Sequence, residues 1–217
     1  MIHCLTVGLL QVNCYVVWDR DTREALVIDP GGDADKIVEL LRHYDLNLKR
    51  IVNSHSHFDH VDAVRPLQEE TNAPFYIHRD GRELLASAQI RAAQFGLRVD
   101  DPPEPDGFVE EGEEFRIGQT QFTVRHTPGH SPDGICLVTA DAVFTGDTLF
   151  AGGIGRYDIP GSSLDDLVHS LRTVLLALPD ELAVYPGHGP ASSIAIERAH
   201  NPFLHLLMSG QSLPGYF

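Results

Sequence analysis

Cysteine is scarce in this chain: Cys4, Cys14 and Cys136 form an odd set with no Cys-x-x-Cys spacing. That argues against a disulfide framework or a cysteine-based zinc site, and reduced, buried thiols are expected instead. Basic residues are few as well. Against 31 Asp and Glu stand 16 Lys and Arg, a formal net charge of -15, which disfavours nucleic acid, since its binding rests on clustered Lys and Arg. The 100–114 stretch has many carboxylates, no Lys or Arg, and Pro102, Pro103 and Pro105 among them. It is expected to be a solvated loop. No apolar run approaches the ~20 residues of a membrane span, and no apolar segment with a cleavage site follows Met1. A cytoplasmic protein with no membrane partner is the expectation. Repeats, low-complexity tracts and linkers are missing too, so one domain is expected over 1–217, long enough for a substantial core.

What the chain does have is histidine concentrated in one place. His55-Ser56-His57-Phe58-Asp59-His60 puts four metal-capable side chains within six residues. Residues two apart in an extended segment point to the same side, so His55 and His57 can present their rings together. Asp59 and His60, where the chain turns toward a helix, can project to a second position nearby. Three imidazoles and a carboxylate suit zinc, iron or manganese, and the lack of a thiolate argues against a purely structural zinc site. Taken alone, Asp59 could simply cap a helix over 60–71.

In order, short strands are expected over 2–7, 14–18 and 26–28 from their β-branched and aromatic content. Asp29-Pro30-Gly31-Gly32 follows, either a plain strand-to-helix loop or a turn packed against whatever lies at the strand ends. A helix over 33–44, a strand over 49–53 ending at the histidines, a strand over 74–77 and a helix over 80–95 come next, the alternation of a layered α/β domain. Beyond the acidic stretch, strands over 114–117, 121–126, 134–139 and 142–145 look hairpin-connected. A helix over 162–178, a strand over 182–185 and a last helix from Ser192 complete the chain.

Three loops at strand ends repeat the chemistry of the first cluster. His126-Thr127-Pro128-Gly129-His130 holds His130 in a Pro/Gly-fixed turn, while His126 lies inside a strand and reads as structural. Gly146-Asp147-Thr148 offers a carboxylate, and Pro186-Gly187-His188-Gly189-Pro190 another fixed histidine. Considered singly, His130 and His188 could each be structural or ligating. The glycine-rich loop 151–161 carries Arg156 and Tyr157, candidate contacts for a substrate. His200 and His205 have no partner pattern.

The motifs Asn13-Cys14-Tyr15, Asp29-Pro30-Gly31-Gly32, His55 to His60, Thr127-Pro128-Gly129-His130, Gly146-Asp147-Thr148-Leu149-Phe150, Gly155-Arg156, Tyr185-Pro186-Gly187-His188 and Asn201-Pro202-Phe203-Leu204 occur in that order. In this the chain resembles the metallo-β-lactamase superfamily, and within it the glyoxalase II-like, or hydroxyacylglutathione hydrolase-like, branch. The resemblance implies an α/β fold, a four-layer αβ/βα sandwich of two mixed sheets with helices outside. It implies two divalent cations, zinc first with iron or manganese accommodated: one held by His55, His57 and His130, the other by Asp59, His60 and His188, with Asp147 bridging. Asp59 and Asp147 are the carboxylates it assigns to catalysis.

Two such cations sharing a water lower its pKa toward neutrality and polarise a carbonyl beside it. The activity implied is hydrolysis of a small-molecule thioester such as S-D-lactoylglutathione by a metal-bridging hydroxide, the thiolate, of pKa about 8.5, being a ready leaving group. The chain departs from glyoxalase II in stopping soon after the Asn201 motif, without the helical carboxy-terminal extension, and in carrying Asp158 and Pro190 where tyrosines are familiar. Two alternatives use the same fold. One is a mononuclear iron persulfide dioxygenase, whose last histidine is usually followed by Asp-Tyr rather than Gly189-Pro190; the other is a lactonase-type hydrolase. The Gly215-Tyr216-Phe217 end has no assigned role.

Overall fold

Strands that are apolar on both faces must be covered on both sides, and that requirement sets the architecture. The computed structural model describes residues 1–213; Gly215-Tyr216-Phe217 lies outside them. In chain order, β1 (Ile2–Val7), β2 (Val12–Trp18) and β3 (Glu24–Ile28) lead through α1 (Ala34–His43) to β4 (Asn47–Val52). Then come α2 (Phe58–Val61), α3 (Val64–Thr71), β5 (Phe75–His78), α4 (Arg82–Ala86), α5 (Ala88–Gln94) and β6 (Gly107–Val109). The second half contains β7 (Glu114–Ile117), β8 (Thr120–His126), β9 (Ile135–Val138), β10 (Ala142–Gly146) and a small hairpin, β11 (Leu149–Phe150) and β12 (Gly153–Ile154). It closes with α6 (Leu164–Thr173), β13 (Ala183–Pro186), β14 (Ser192–Ser193), α7 (Ile194–His200) and α8 (Pro202–Met208).

The first sheet runs β1-β2-β3-β4-β5-β6 and the second β14-β13-β10-β9-β8-β7. Both are mixed: β3 to β6 pair in parallel and β1 to β3 antiparallel, while β10 and β13 are the parallel pair of the second sheet. Alternation along the central strands sorts side chains between layers. Tyr15, Val17, Leu26 and Ile28 face inward onto Phe122, Ile135, Leu137 and Phe144 of the opposite sheet. Cys14, Val16, Ala25 and Val27 face outward beneath Ile37, Val64 and Leu67 of α1 and α3. Cys136 and Val143 do the same for Leu167 and Leu171 of α6. The result is the expected four-layer sandwich. No helix among the described residues is long and apolar enough to cross a membrane.

Four expectations are corrected. The helix foreseen over 60–71 is two helices, because Pro66 has no N–H and its ring excludes a helical carbonyl four residues back, and the Ala63 N–H donates outward to the Pro30 carbonyl at 2.9 Å. The helix foreseen over 80–95 breaks at Ser87, whose hydroxyl donates to the Leu84 carbonyl at 2.9 Å and closes α4 before α5 begins. The acidic 100–114 stretch is not free loop throughout: it supplies β6 to the first sheet, and the Asp106 carboxylate accepts from Phe75 N–H at 2.8 Å and from Gln68 at 2.7 Å. Cys14 and Cys136 are buried free thiols as expected, but Cys4, on the edge strand β1, is exposed.

Candidate metal centre

Strand ends and tight turns bring all seven candidate ligands to one rim of the sandwich. His55, His57, Asp59 and His60 follow β4, His130 follows β8, Asp147 follows β10, and His188 follows β13. Ligating atoms of His55, His57 and His130 lie within 4.8 Å of one another, as do those of His55, His60 and Asp147, and those of Asp59, His60 and His188. The Asp147 carboxylate sits between the groups: Oδ1 is 3.6 Å from His60 Nε2, and Oδ2 is 3.6 Å from both His130 Nε2 and His188 Nε2. His130 Nε2 and His57 Nδ1 are 2.9 Å apart, and Asp59 Oδ2 is 3.5 Å from His188 Nε2.

Three of the five rings are aimed by something behind them. The Arg156 carbonyl, 3.0 Å from His130 Nδ1, can only accept, so that nitrogen carries the proton and Nε2 presents a lone pair to the site. Asp29 performs the same service twice. It accepts from the Ser54 hydroxyl at 2.7 Å, which leaves that oxygen to accept from His55 Nδ1 at 3.1 Å, and it lies 3.2 Å from His60 Nδ1. The His188 turn is clamped by β2: Asn13 Nδ2 donates to the carbonyls of Pro186 and Gly189, and the Tyr15 hydroxyl donates to Pro186 at 2.7 Å.

The Asp29-Pro30-Gly31-Gly32 turn, which the sequence left as either plain loop or site wall, is the latter. A Cβ on Gly31 would lie 1.9 Å from the Asp59 carbonyl oxygen, so only glycine allows this approach. Sequence reasoning gave Asn13, Tyr15 and Asp29 no role. Their signal was a buried polar residue at an apolar strand or strand end, which composition does not distinguish from a surface one.

The donor set fits cations. His55 Nε2, His60 Nε2 and Asp147 Oδ1 are buried and have no hydrogen-bond partner among the described residues, which is costly for any polar atom without a ligand. Burial and the neighbouring His130 push His57 down to about 3, and burial pushes His55 well down, leaving both rings neutral and able to donate lone pairs. The other half behaves oppositely. Burial works against a charged His60, yet Asp29, Asp59 and Asp147 outweigh it and raise the ring to about 10. Burial likewise opposes ionisation of Asp59, but His60 and His188 hold it below the carboxylate range.

A fourth group of ligand-type side chains, His78, Asp80 and His126, lies within the same 4.8 Å criterion. Its two rings are stacked 4.0 Å apart at 13°, so their in-plane lone pairs run parallel rather than converging, and His126 Nε2 donates to the Pro132 carbonyl at 2.9 Å.

The metal-ligand rim forms one end of a cleft of about 400 Å³. Phe58, Arg91, Phe95, Arg156 and Ile159 are among the other walls. Arg156 therefore lines the cleft as a candidate contact, with its guanidinium forked onto Asp158 at 2.9 and 2.8 Å. Tyr157 is half-buried and packs toward the α6 side of the second sheet. Arg91 and Phe95 went unnoticed in the sequence. A more open groove of about 1120 Å³ runs between α1 and α3, lined by none of the seven candidate ligands.

Comparison with known proteins agrees with this geometry. The profile of the metallo-beta-lactamase superfamily matches residues 7–188. Hydroxyacylglutathione hydrolase GloC of Haemophilus influenzae is 37% identical over 208 residues, covering 94% of this chain and 98% of its own. Among solved structures, the BLEG-1 B3 metallo-beta-lactamase superposes with a TM-score of 0.88 at 34% identity, covering 94% of this chain and 99% of that one. TTHA1623 in a di-iron-bound form superposes with a TM-score of 0.86 at 40% identity, covering 93% and 100%.

Proposed function

The chain belongs to the metallo-beta-lactamase superfamily, and from that premise we propose that it is a metal-dependent hydrolase of small-molecule thioesters. One observation carries the reading: three overlapping trios of ligand atoms close one end of a cleft whose walls, among the described residues, include no serine, threonine or cysteine. Its carboxylates and imidazoles are the proposed cation ligands, which leaves water as the nucleophile. Two divalent cations held by His55, His57 and His130 and by Asp59, His60 and His188, with Asp147 between, would lower the pKa of a shared water and polarise the acyl carbonyl. Zinc or iron suits imidazole and carboxylate donors, and the di-iron form of TTHA1623 supports the pairing.

The residues themselves supply orientation. Asp59, held ionised by His60 and His188, is placed beside His188 to accept a hydrogen bond from the attacking water and orient it toward the acyl carbon. Asp29 and the Arg156 carbonyl keep the rings of His55, His60 and His130 aimed before substrate arrives. Phe58, Ile159 and Pro160 give the cleft apolar walls that exclude bulk water from the acyl group. A thiolate leaves without acid assistance, so no further donor is required. GloC, a hydroxyacylglutathione hydrolase, supports a thioester as the substrate class.

The test is hydrolysis of S-D-lactoylglutathione and simple acyl thioesters by zinc- and iron-loaded protein. Turnover far above a His57→Ala control is expected; rates equal to that control would refute the reading. One iron per chain together with persulfide-dependent oxygen uptake would replace hydrolysis by persulfide oxidation.

A further inference from the structure

The rest of the cleft lining is chemically unlike its metal ligands. Two arginines belong to it, in a chain whose formal net charge is -15. Arg156 is forked onto Asp158. Arg91 is different. It stands on α5 with its Nε donating to the Ser87 hydroxyl at 3.0 Å, which pins the base of the guanidinium. Among the described residues no carboxylate lies within ion-pair distance of it. Its charge is close enough to the site to contribute to the lowering of His57.

Around this cation the wall is apolar. Phe58 and Phe95 pack with ring centroids 5.6 Å apart, and Leu10, Ile159 and Pro160 continue the surface. Phe95 is 66% exposed and Leu10 42% exposed, large apolar side chains left open at a cleft mouth. An apolar lining with one placed charge is how a pocket orients a ligand. Arg91 offers an anionic substrate group a partner that is not itself a metal ligand, which fixes which end of the molecule reaches the histidines.

We propose that Arg91 is the anchor for a carboxylate on the substrate, joined to the scissile thioester through an apolar segment that lies against Phe95. The proposal rests on the thioesterase reading and narrows it: the substrate is an acid thioester, with the carboxylate on the thiol side or the acyl side. An arginine forks onto a carboxylate through parallel N–H bonds, so lysine is an incomplete replacement.

The experiment uses metal-loaded full-length protein and two matched pairs. S-benzoyl-3-mercaptopropionate is compared with its primary amide for a thiol-side carboxylate, and the S-benzyl monothioester of succinate with its amide for an acyl-side one. Binding of the uncleavable thioether S-benzyl-3-mercaptopropionate, its amide, and the matching benzyl ketone acid and its amide is followed by calorimetry. The wild type should prefer acid over amide by about 10- to 100-fold in one pair. Arg91→Ala should reduce that preference to about threefold or less, through KM and Kd rather than kcat, and Arg91→Lys should keep part of it.

The pair that shows the loss names the side that carries the charge. A preference unchanged in Arg91→Ala, or no acid preference by the wild type in either pair, overturns the anchor. If the wild type cleaves none of the thioesters but Arg91→Ala still loses acid preference in calorimetry, the anchor stands and the hydrolase reading falls. Cleavage with an unchanged preference gives the reverse.

Discussion

The two walls of the cleft are built by different means. The metal-ligand wall stands on strand ends of both sheets, and its support is buried polar chemistry: Asn13, Asp29 and Asn53 are at most 5% exposed, each tied to a turn or ring of the site. The other wall includes α5, a helix of seven residues broken from α4 at Ser87, and presents exposed Phe95 and partly buried Arg91. Groups that must hold geometry to a fraction of an ångström are fixed from several directions, whereas groups that choose a ligand are attached from one. The first wall is suited to chemistry and the second to selection, and a family can keep one while varying the other.

Substitutions can break this contrast at either side. The largest effect is expected from removing Asp147, which faces both halves: Asp147→Ala should lower kcat by on the order of a thousandfold or more, whatever the substrate. Next is Asp29→Ala, which touches no substrate but orients two rings; a loss of about 10- to 100-fold in metal affinity is expected, read by competition with a chelator. If Asp29→Ala left metal affinity unchanged, the metal-ligand wall would not depend on its buried support.

On the other wall, Phe95→Ala should raise KM about three- to tenfold across thioesters with far less change in kcat, the signature of uniform binding. A kcat loss as large as that of Asp29→Ala would erase the distinction between the walls.

The smallest effect concerns the underside of the metal-ligand wall. Asp133 is fully buried beside Ser56 and Ser131, and burial raises its carboxyl above the ordinary range. A carboxyl whose folded pKa is raised binds more protons folded than unfolded, so stability falls as pH rises from the unfolded value, about 3.9, through the raised one. Asp133→Asn should therefore stabilise by about 1 kcal/mol above that window, and the gain should vanish below about pH 4. Thermal melts across pH check both the sign and the window.

The same contrast explains what could be read from the residues. The histidine cluster and the Pro/Gly turns around His130 and His188 were visible because ligand types recur at strand ends, and the alternation of strands with helices announced a layered α/β domain. Arg91 and Phe95 were invisible. They are ordinary helix residues, and what places them at the cleft is the Ser87 break, set by one hydroxyl-to-carbonyl hydrogen bond. β6 was hidden for a related reason: acidic residues and prolines around it suggest solvent, but the Asp106 carboxylate bonding to β5 draws the segment onto the sheet. Local pattern reports which side chains can do chemistry, while long-range polar contacts decide which ordinary ones face it.

The most direct test of the central claim is elemental analysis of purified protein after zinc loading and dialysis against metal-free buffer. Seven converging groups with Asp147 between two trios predict about two zinc ions per chain. One ion or fewer per chain would contradict a paired site.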